Sequence, residues 1–417
     1  MFPVWWREAE SFLVRDGCGN QWIDLTSAIL VANSGHSHPK VVEAMRRMLD
    51  QPLQATYLFP QEPRLVLSEK LAALSPWNDA KAILFSAGTE ATECALMLMR
   101  LHGRRHSPEK NIILCFEKNY HGRTLGAALA SGFSDDEYFL SRQREAGYYR
   151  LPYPFEPGCG LPGIVSDGAA KWSACMDRMK LDGIDPNRVA GIILETMPGW
   201  ATWPINRSFL AAMRCFADEN RALVAFDEVQ SACGRTGRFF AFEHLRVLPD
   251  LIALGKGLSS GMPVSAVVGP RSILDQPGPG EMSSTHGGNP VCAAAALANL
   301  RVIEEEQMIS AAASTGKRSV EKLREIVAEH PSRVQSVHGF GLFISIHFRK
   351  PDSSEPDIDL ADAIAREAVS RGVLMFATGR GYLKFAPPLC IDPDAALEAA
   401  GVICDACRDV IAARGME

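Results

Sequence analysis

Two unbroken apolar runs, each followed by a charged residue, constrain the fold of this chain more than any other feature. Residues 222–226 run directly into Asp227, and Leu251–Leu254 is followed, after one glycine, by Lys256. Apolar runs without polar alternation are typical of parallel strands that are buried on both faces. Ligands of open α/β sheets bind outside the carboxyl ends of the strands, so we expect this acid and this amine to face one small molecule.

An aspartate and a lysine in such positions indicate the chemistry of a pyridoxal phosphate Schiff base. The Lys256 amine would condense with the cofactor aldehyde, and Asp227 would keep a proton on the pyridine nitrogen so that the ring can accept electrons. The alternative is that each residue only caps a helix or forms an ion pair, as charged residues at strand ends often do.

The composition excludes several classes of partner. The 417 residues carry 43 basic and 49 acidic side chains, a net charge of −6, without a basic run, which argues against nucleic acid or an anionic membrane as partner. No apolar stretch approaches the roughly 18 to 20 residues of a membrane span, and residues 1–8 lack the layout of a signal peptide, so we expect a cytoplasmic protein. His36 and His38 have no third ligand nearby, and the C-x-x-C at 404–407 has no second pair, so we expect no metal site.

Strands and helices alternate along the middle of the chain. The predicted strands are residues 82–85, 112–116, 189–194, 223–226, 251–254 and 264–268. This repetition predicts an α/β fold with a doubly wound, mostly parallel sheet. Residues 133–185, which are polar and partly rich in Pro and Gly, are predicted to be loops.

The pattern divides the chain into a large domain, residues 45–300, and a smaller α/β domain built from residues 1–44 and 301–417. The first part of the smaller domain contains a predicted hairpin over 11–25, and a helix is predicted over 39–49. Its second part is predicted to contain the end of a long helix over 291–328, a strand pair over 334–348, a helix over 359–371, short strands near Leu374 and Leu383, and a closing helix.

Three further turns carry chemistry. In Phe85-Ser-Ala-Gly-Thr-Glu-Ala a strand turns into a helix, and Gly88 and Thr89 offer N–H groups and a hydroxyl to a phosphate at the helix N-terminus. The turn matches neither G-x-G-x-x-G nor a Walker loop, so a dinucleotide or ATP is poorly supported. In Asn119-Tyr-His-Gly-Arg-Thr, Tyr120 can stack on a planar cofactor and Arg123 can bind a carboxylate. The third turn, residues 283–290, is polar and rich in Gly.

Taken together, these motifs resemble those of the class III (ω-amino acid) aminotransferases of PLP fold type I. The resemblance rests on Ser-Ala-Gly-Thr-Glu-Ala, Tyr-His-Gly-Arg-Thr, Asp-Glu-Val-Gln with Gly-Arg-Thr-Gly, Gly-Lys-Gly and Thr-His-Gly-Gly-Asn-Pro, which occur in the family's order along nearly the whole chain. The interval from Asp227 to Lys256 also agrees with the family's spacing.

The resemblance implies roles for the residues at the cofactor ring. Lys256 would form the internal aldimine and, once freed by substrate, would move the proton, for which its pKa must be depressed. Asp227 would pair with the ring nitrogen, Gln230 would bond the ring hydroxyl, Val229 would pack behind the ring, and Tyr120 would stack on its other face.

Other implied roles concern the phosphate, the substrate and the subunits. Gly88 and Thr89 would hold the phosphate, together with Thr285 of the neighbouring subunit, which makes the expected unit a homodimer with active sites at its interface. Arg123 matches a family arginine that often meets a substrate carboxylate, and Arg235 matches a structural ion-pair partner.

Two departures from the family pattern concern the substrate. Trp200 replaces the second glutamate of the Glu-Pro-x-Gln-Gly-Glu-Gly-Gly motif that ornithine and 4-aminobutyrate relatives carry, and Lys384 stands where those relatives have an arginine that grips the 2-oxo acid. A lysine attracts an anion but lacks the bidentate geometry of arginine. The aromatic residues that are predicted to form an apolar wall at the substrate, or alternatively to fill the domain interface, are Trp200, Trp203, Tyr57, Trp5 and Trp6.

The predicted function is transfer of an amino group from a primary amine or ω-amino compound to a 2-oxo acid, pyruvate or 2-oxoglutarate, through pyridoxamine phosphate. The alternative is a PLP-dependent ammonia-lyase or phospho-lyase that acts on an amino-ethyl phosphonate or phosphate, whose anion would suit Arg123 and Lys384. A third hypothesis, a fold-type-I protein that binds PLP or a partner without catalysis, is disfavoured by the intact lysine, aspartate and phosphate turn.

Overall fold

The computed structural model of the chain describes residues 4–55, 57, 59–132, 137–154, 167–203 and 205–415. The strands within this part are β1 (Trp6–Glu10), β2 (Leu13–Asp16), β3 (Gln21–Asp24), β4 (Ala80–Phe85), β5 (Ile112–Phe116), β6 (Tyr148–Leu151), β7 (Val189–Leu194), β8 (Leu223–Asp227), β9 (Leu251–Leu254), β10 (Ser265–Pro270), β11 (Val334–Phe340), β12 (Phe343–Phe348), β13 (Val373–Leu374) and β14 (Tyr382–Phe385).

The α-helical segments in the same part of the chain lie between and after these strands. They are α1 (Ser27–Leu30), α2 (Pro39–Leu49), α3 (Glu62–Leu74), α4 (Gly88–His106), α5 (Leu125–Ala130), α6 (Glu137–Glu145), α7 (Gly168–Leu181), α8 (Arg207–Glu219), α9 (Arg271–Leu274), α10 (Pro290–Glu305), α11 (Met308–Leu323), α12 (Glu325–Glu329), α13 (Ile358–Ser370) and α14 (Pro393–Ala413).

A seven-stranded sheet in the order β4-β10-β9-β8-β7-β5-β6 forms the centre of the molecule. All of its neighbouring strands run parallel, except that β10 is antiparallel to both β4 and β9. Strands β5, β7, β8 and β9 are buried along their whole length, as their continuous apolar runs predict. The predicted α/β fold with a mostly parallel sheet is therefore confirmed.

The prediction that residues 133–185 are loops is wrong over much of that range. Strand β6 pairs in parallel with β5 as the edge of the central sheet, and helices α6 and α7 lie before and after it. Tyr148 and Leu151 are buried while Arg150 is only partly so, which is the mixed pattern of a short edge strand rather than a continuous apolar run. The rest of this prediction, over 133–136 and 155–166, lies outside the described residues.

Two smaller sheets are built from both ends of the chain. The first has the order β1-β2-β3-β13 and contains the predicted hairpin, and the second has the order β11-β12-β14. The single helix predicted over 291–328 is wrong, because three helices occupy this range. The helical path is interrupted between α10 and α11 at Gln307, which adopts a left-handed φ of 50°. No Gly or Pro at this position marks the interruption in the sequence.

The short segment α1 is a left-handed turn. The φ angles are 47° for Ser27, 50° for Ala28, 64° for Ile29 and 65° for Leu30. Left-handed geometry costs L-residues roughly 1–2 kcal/mol each, so other contacts must hold the turn. One of them is the bond from the Ser27 hydroxyl to the Ala386 carbonyl oxygen (2.6 Å), which joins the turn to the chain beyond β14.

No helix in the described ranges combines the length and the apolar character that crossing a membrane requires.

Candidate active site

Polar residues from five strand ends converge at one edge of the central sheet. Asp227 ends β8, Lys256 follows β9, Glu195 follows β7, and Tyr120 follows β5. Gly88 begins α4 just after β4. Because the carboxyl ends of parallel strands meet at the same edge, the acid and the amine face a common space, as the sequence predicts.

A cavity of about 270 Å³ lies at this edge. Its lining residues are Gly88, Thr89, Tyr120, His121, Gly122, Arg123, Asp227, Val229, Gln230 and Lys256. A Cβ atom on Gly88 would lie 2.9 Å from Val229 Cγ1, so only glycine lets the start of α4 approach this valine. All residues predicted to hold the cofactor line this cavity except Thr285, which is exposed.

Asp227 is held by two donors inside the protein. The distance from His121 Nδ1 to Asp227 Oδ2 is 2.8 Å, and the backbone N–H of Val229 donates to Oδ1 at 3.0 Å. Both side chains of the Asp227–His121 pair are almost completely buried. His121 Nε2 is itself buried and has no hydrogen-bond partner among the described residues. The aspartate is thus oriented as an acceptor for a cationic N–H group.

Lys256 lines both this cavity and a second, larger one. Burial lowers the pKa of its amine, while the negative charges of Asp227 and Glu195 act in the opposite direction. Its backbone is in the left-handed region, with φ 42°. Such strain persists only where surrounding structure imposes it, which here is the tight turn after β9.

Glu195 is a buried carboxyl to which the sequence motifs gave no role. Its Oε2 accepts from the Tyr120 backbone N–H (2.8 Å), and its Oε1 accepts from the Gly199 N–H (3.0 Å) and from Gln230 Nε2 (3.1 Å). Burial, assisted by the nearby charge of Asp227, raises the pKa of Glu195 to about 7. Only its place directly after β7 could have drawn attention to it from the sequence.

The second cavity, of about 560 Å³, is the candidate substrate chamber. It shares Tyr120, Gly122, Arg123, Gln230 and Lys256 with the smaller cavity. The other residues that line it are Ile29, Ala128, Ser131, Gly199, Trp200, Phe376, Thr378, Arg380 and Lys384.

The charge in this chamber is of one sign. Arg123, Arg380, Lys384 and Lys256 all line it, and no carboxylate side chain of the described residues does. Sequence analysis found all of these cations except Arg380, which lies in the glycine-flanked loop between β13 and β14. Ile29, at the left-handed turn, also escaped prediction. A cationic chamber with apolar walls suits an organic anion.

The aromatic residues predicted to form one wall separate into groups. Trp200 lines the chamber, whereas Trp203 is buried behind it and stacks on His347 with ring centres 4.3 Å apart. Tyr57 lies in a different cavity, where its hydroxyl donates to Ser283 Oγ at 2.9 Å. Trp5 and Trp6 are exposed. Among these residues, therefore, only Trp200 lines the chamber within this chain.

Arg235 is structural, and within the described residues its hydrogen bonds go to neutral oxygens rather than to a carboxylate. The guanidinium is completely buried and donates to neutral oxygens, namely the carbonyls of Leu342 (3.1 Å) and Pro387, Asn33 Oδ1 (2.7 Å) and Ser27 Oγ (3.3 Å). It thereby connects the chain after β8 to the left-handed turn and to the segments after β11 and β14.

Known sequences similar to this chain are aminotransferases. The sequence profile of the family described as aminotransferase class-III matches residues 1–407. The chain is 32% identical over 416 residues to the 5-aminovalerate aminotransferase of Pseudomonas aeruginosa, covering 98% of this chain and 94% of that one. It is also 32% identical over 400 residues to the 4-aminobutyrate aminotransferase of Escherichia coli, covering 94% and 90% of the two chains.

Comparison with solved structures supports the same assignment. An aminotransferase from Bacillus anthracis superposes with a TM-score of 0.85 at 26% identity, covering 98% of this chain and 95% of that one. The fold is therefore that of fold type I, and the predicted family is confirmed. From the profile match over almost its whole length and from these relatives, the chain belongs to the class III aminotransferases.

Proposed function

We propose that this enzyme binds pyridoxal 5'-phosphate and transfers an amino group from a primary amine or ω-amino compound to a 2-oxo acid, pyruvate or 2-oxoglutarate. One observation carries the proposal. Lys256 and Asp227 lie at the ends of adjacent strands and line one cavity, which the first residues of α4 also line. The cofactor, when bound, supplies an electron-accepting ring that stabilises the carbanion next to nitrogen.

The residues of the smaller cavity fit such a cofactor. The first N–H groups of α4, at Gly88 and Thr89, have no acceptor within a helix and suit a phosphate. Asp227, fixed by His121, suits a pyridinium N–H, and the unpartnered Nε2 of His121 is a further polar group beside it. Tyr120 would cover one face of the ring and Val229, packed on Gly88, the other.

Lys256 would bind the cofactor aldehyde and then move the proton. A lysine amine ordinarily has a pKa near 10.4, which leaves almost none of it able to accept a proton at neutral pH. Burial lowers the pKa of Lys256, so a larger share of the amine is unprotonated. Its position at the junction of the two cavities lets one atom reach both cofactor and substrate.

The chamber supports an ω-amino acid as the amine donor. The relatives named above act, by their names, on 5-aminovalerate and 4-aminobutyrate, which carry a carboxylate far from the amine. Arg123 and Arg380 would hold that distal anion while the amine meets Lys256. Lys384 would attract the carboxylate of the oxo-acid acceptor as a point charge.

A homodimer is part of the proposal. Thr285 is exposed, and Tyr57 lies outside the two cavities, so both are available to complete the site of a second subunit. Large apolar side chains are also exposed on this chain, and they include Phe59, Leu65, Met97 and Leu125. A subunit interface would cover apolar side chains of this kind. We also propose the division into a large domain (45–300) and a smaller one (1–44 and 301–417), which the three sheets support.

A second candidate is a PLP-dependent ammonia-lyase or phospho-lyase that acts on an amino-ethyl phosphonate or phosphate. The observation that favours it is the chamber's lining: three cationic side chains, Arg123, Arg380 and Lys384, line it, and Trp200 stands where many relatives carry a glutamate. A dianionic phosphonate would be held well by three cations.

One single-turnover experiment separates these candidates. Protein loaded with PLP is mixed with 5-aminovalerate, 4-aminobutyrate or 2-aminoethyl phosphate, whose phosphate can leave, without any oxo acid, and the cofactor absorbance and free ammonia are followed together. Stoichiometric conversion to pyridoxamine phosphate without ammonia supports the aminotransferase. Continuous ammonia release with the original absorbance restored supports the lyase, and no change with any amine contradicts both.

A further inference from the structure

Lys384 is a buried lysine that already has a partner inside the protein. It lies on β14 with 4% of its surface exposed, and its amine donates to Gln230 Oε1 at 3.3 Å, the one hydrogen-bond acceptor that the described residues give it. The amine also lies over the rings of Phe343 and Phe376, 5.4 and 5.9 Å from their centres. An acceptor carboxylate must therefore share this amine with Gln230.

Gln230 connects Lys384 to the buried carboxyl of Glu195. Its Nε2 donates to Glu195 Oε1 at 3.1 Å, while its Oε1 accepts from Lys384. Gly199 makes room for this arrangement, because a Cβ atom there would lie only 2.0 Å from Gln230 Nε2. An amide nitrogen carries two hydrogens, so one N–H of Gln230 remains after the bond to Glu195.

Glu195 alone does not determine which way the amide points. Burial and the charge of Asp227 raise the pKa of Glu195 to about 7, so near neutrality part of the population carries a proton. A protonated carboxyl can donate to the amide oxygen, which would favour the reversed amide. The charged Lys384 amine can only donate hydrogen bonds, so it can bind the amide oxygen of Gln230 but not the amide nitrogen.

The charged groups around Lys384 act on it from several elements. Burial and the charge of Lys256 lower the pKa of Lys384 to about 7, Glu195 opposes this effect, and Arg235 adds to it. Lys384 and Glu195 therefore titrate in the same pH range, on opposite ends of one amide.

We propose that Lys384 is a positioning residue, which holds the Gln230 amide so that its free N–H faces the cofactor cavity and donates to the ring hydroxyl. This inference rests on the proposed function, because it needs the cofactor in that cavity. It gives the lysine a role toward the cofactor in addition to its attraction for the acceptor.

The test measures cofactor affinity without any turnover. Apo-protein is dialysed to equilibrium against PLP at several pH values between about 6 and 8.5, and the absorbance of the bound cofactor is titrated in parallel. The proteins are wild type, Lys384→Met, Lys384→Arg, Gln230→Met and the Lys384→Met/Gln230→Met double variant, with Lys350→Met as a control for loss of an exposed lysine. Methionine between two phenylalanine rings keeps the apolar packing of the lysine stem.

We expect Lys384→Met to weaken PLP binding about tenfold, which corresponds to the loss of one hydrogen bond. The loss should be larger below about pH 7, where Glu195 is protonated. Lys384→Arg, which keeps the donors, should stay within about threefold of wild type at every pH. The double variant should bind like Gln230→Met alone, because both substitutions remove the same interaction.

Two results would overturn the inference. The first is wild-type affinity and pH dependence in Lys384→Met, which would leave the lysine as a substrate contact at most, and the second is additive losses in the double variant. Wild-type protein that binds no PLP at all would instead overturn the proposed function itself.

Discussion

Acidification is expected to weaken this protein through two histidines buried behind the substrate chamber. His338 on β11 and His347 on β12 pack against Trp203, and their ring centres lie 6.0 and 4.3 Å from the indole. Burial, with a smaller effect of Arg324, lowers the pKa of His338 from 6.5 to about 4, and burial likewise holds that of His347 well below its ordinary value. The folded state therefore resists protonation of both rings.

The direction follows from proton linkage. Between the folded-state and unfolded-state pKa values of such a histidine, the unfolded chain binds a proton that the folded chain does not bind. The contribution of the neutral histidine to the free energy of unfolding is therefore complete above about pH 6.5 and is lost as the pH falls toward 4. For His338 alone, with a pKa near 4 folded and 6.5 unfolded, the free energy of unfolding falls by about 2 kcal/mol between pH 7 and pH 5. His347 acts in the same direction.

The assay is urea denaturation of wild type and His338→Phe at about pH 7, 6 and 5. Phenylalanine keeps an aromatic ring and removes the titrating group, so the variant should lose about 2 kcal/mol less than wild type over this range. Glu195 and Glu228, whose pKa values burial raises to about 7, change stability in the opposite sense, but they are common to both proteins and cancel in the comparison.

His286→Phe, which changes an exposed histidine, serves as the matched control and should keep the wild-type pH dependence. Equal losses in wild type and His338→Phe would refute the reasoning. So would a control that behaves like the buried variant.

Four further outcomes are expected. Lys256→Ala should abolish the visible absorbance of the lysine-bound cofactor, and retention of that band would exclude Lys256 as its attachment point. Asp227→Ala should release cofactor more readily in dialysis and lower turnover about a hundredfold or more, so near-normal rates would contradict its role at the ring nitrogen. Arg380→Gln should raise the KM for an ω-amino acid at least about tenfold but leave that for an uncharged amine of equal length, and equal effects on both amines would remove it from anion binding. Ala28→Gly should raise the free energy of unfolding by about 1 kcal/mol in urea, because glycine adopts the left-handed φ without strain, and a less stable variant would contradict this.

The parts of the fold that were predictable are those with local signals. Continuous apolar runs mark β5, β7, β8 and β9 because both faces of these strands are buried. Strand β6 escaped prediction because Arg150 interrupts its apolar residues and its polar flanks are typical of loops. The break at Gln307 has no local signal, because the helical pattern continues through it and neither Gly nor Pro marks the left-handed residue.

The candidate site was predictable to the extent that strand ends and helix starts mark it. Asp227, Lys256 and Gly88 all sit at such positions. His121 lies within a recognised motif and Glu195 directly after β7, yet their roles depend on side-chain distances that no spacing reveals. Arg380 lies in an irregular loop, where neither periodicity nor capping rules apply.

The left-handed turn also affects when the site can form during biosynthesis. Ile29 of this turn lines the chamber. The turn is hydrogen-bonded to Ala386 through Ser27, and the neighbouring β3 pairs with β13. These partners are separated by some 350 residues of sequence, and a chain emerges from the ribosome at about 5–20 residues per second. The wall of the chamber therefore cannot form until residue 386 has been translated, so a partly synthesised chain with an intact central sheet still lacks a finished site.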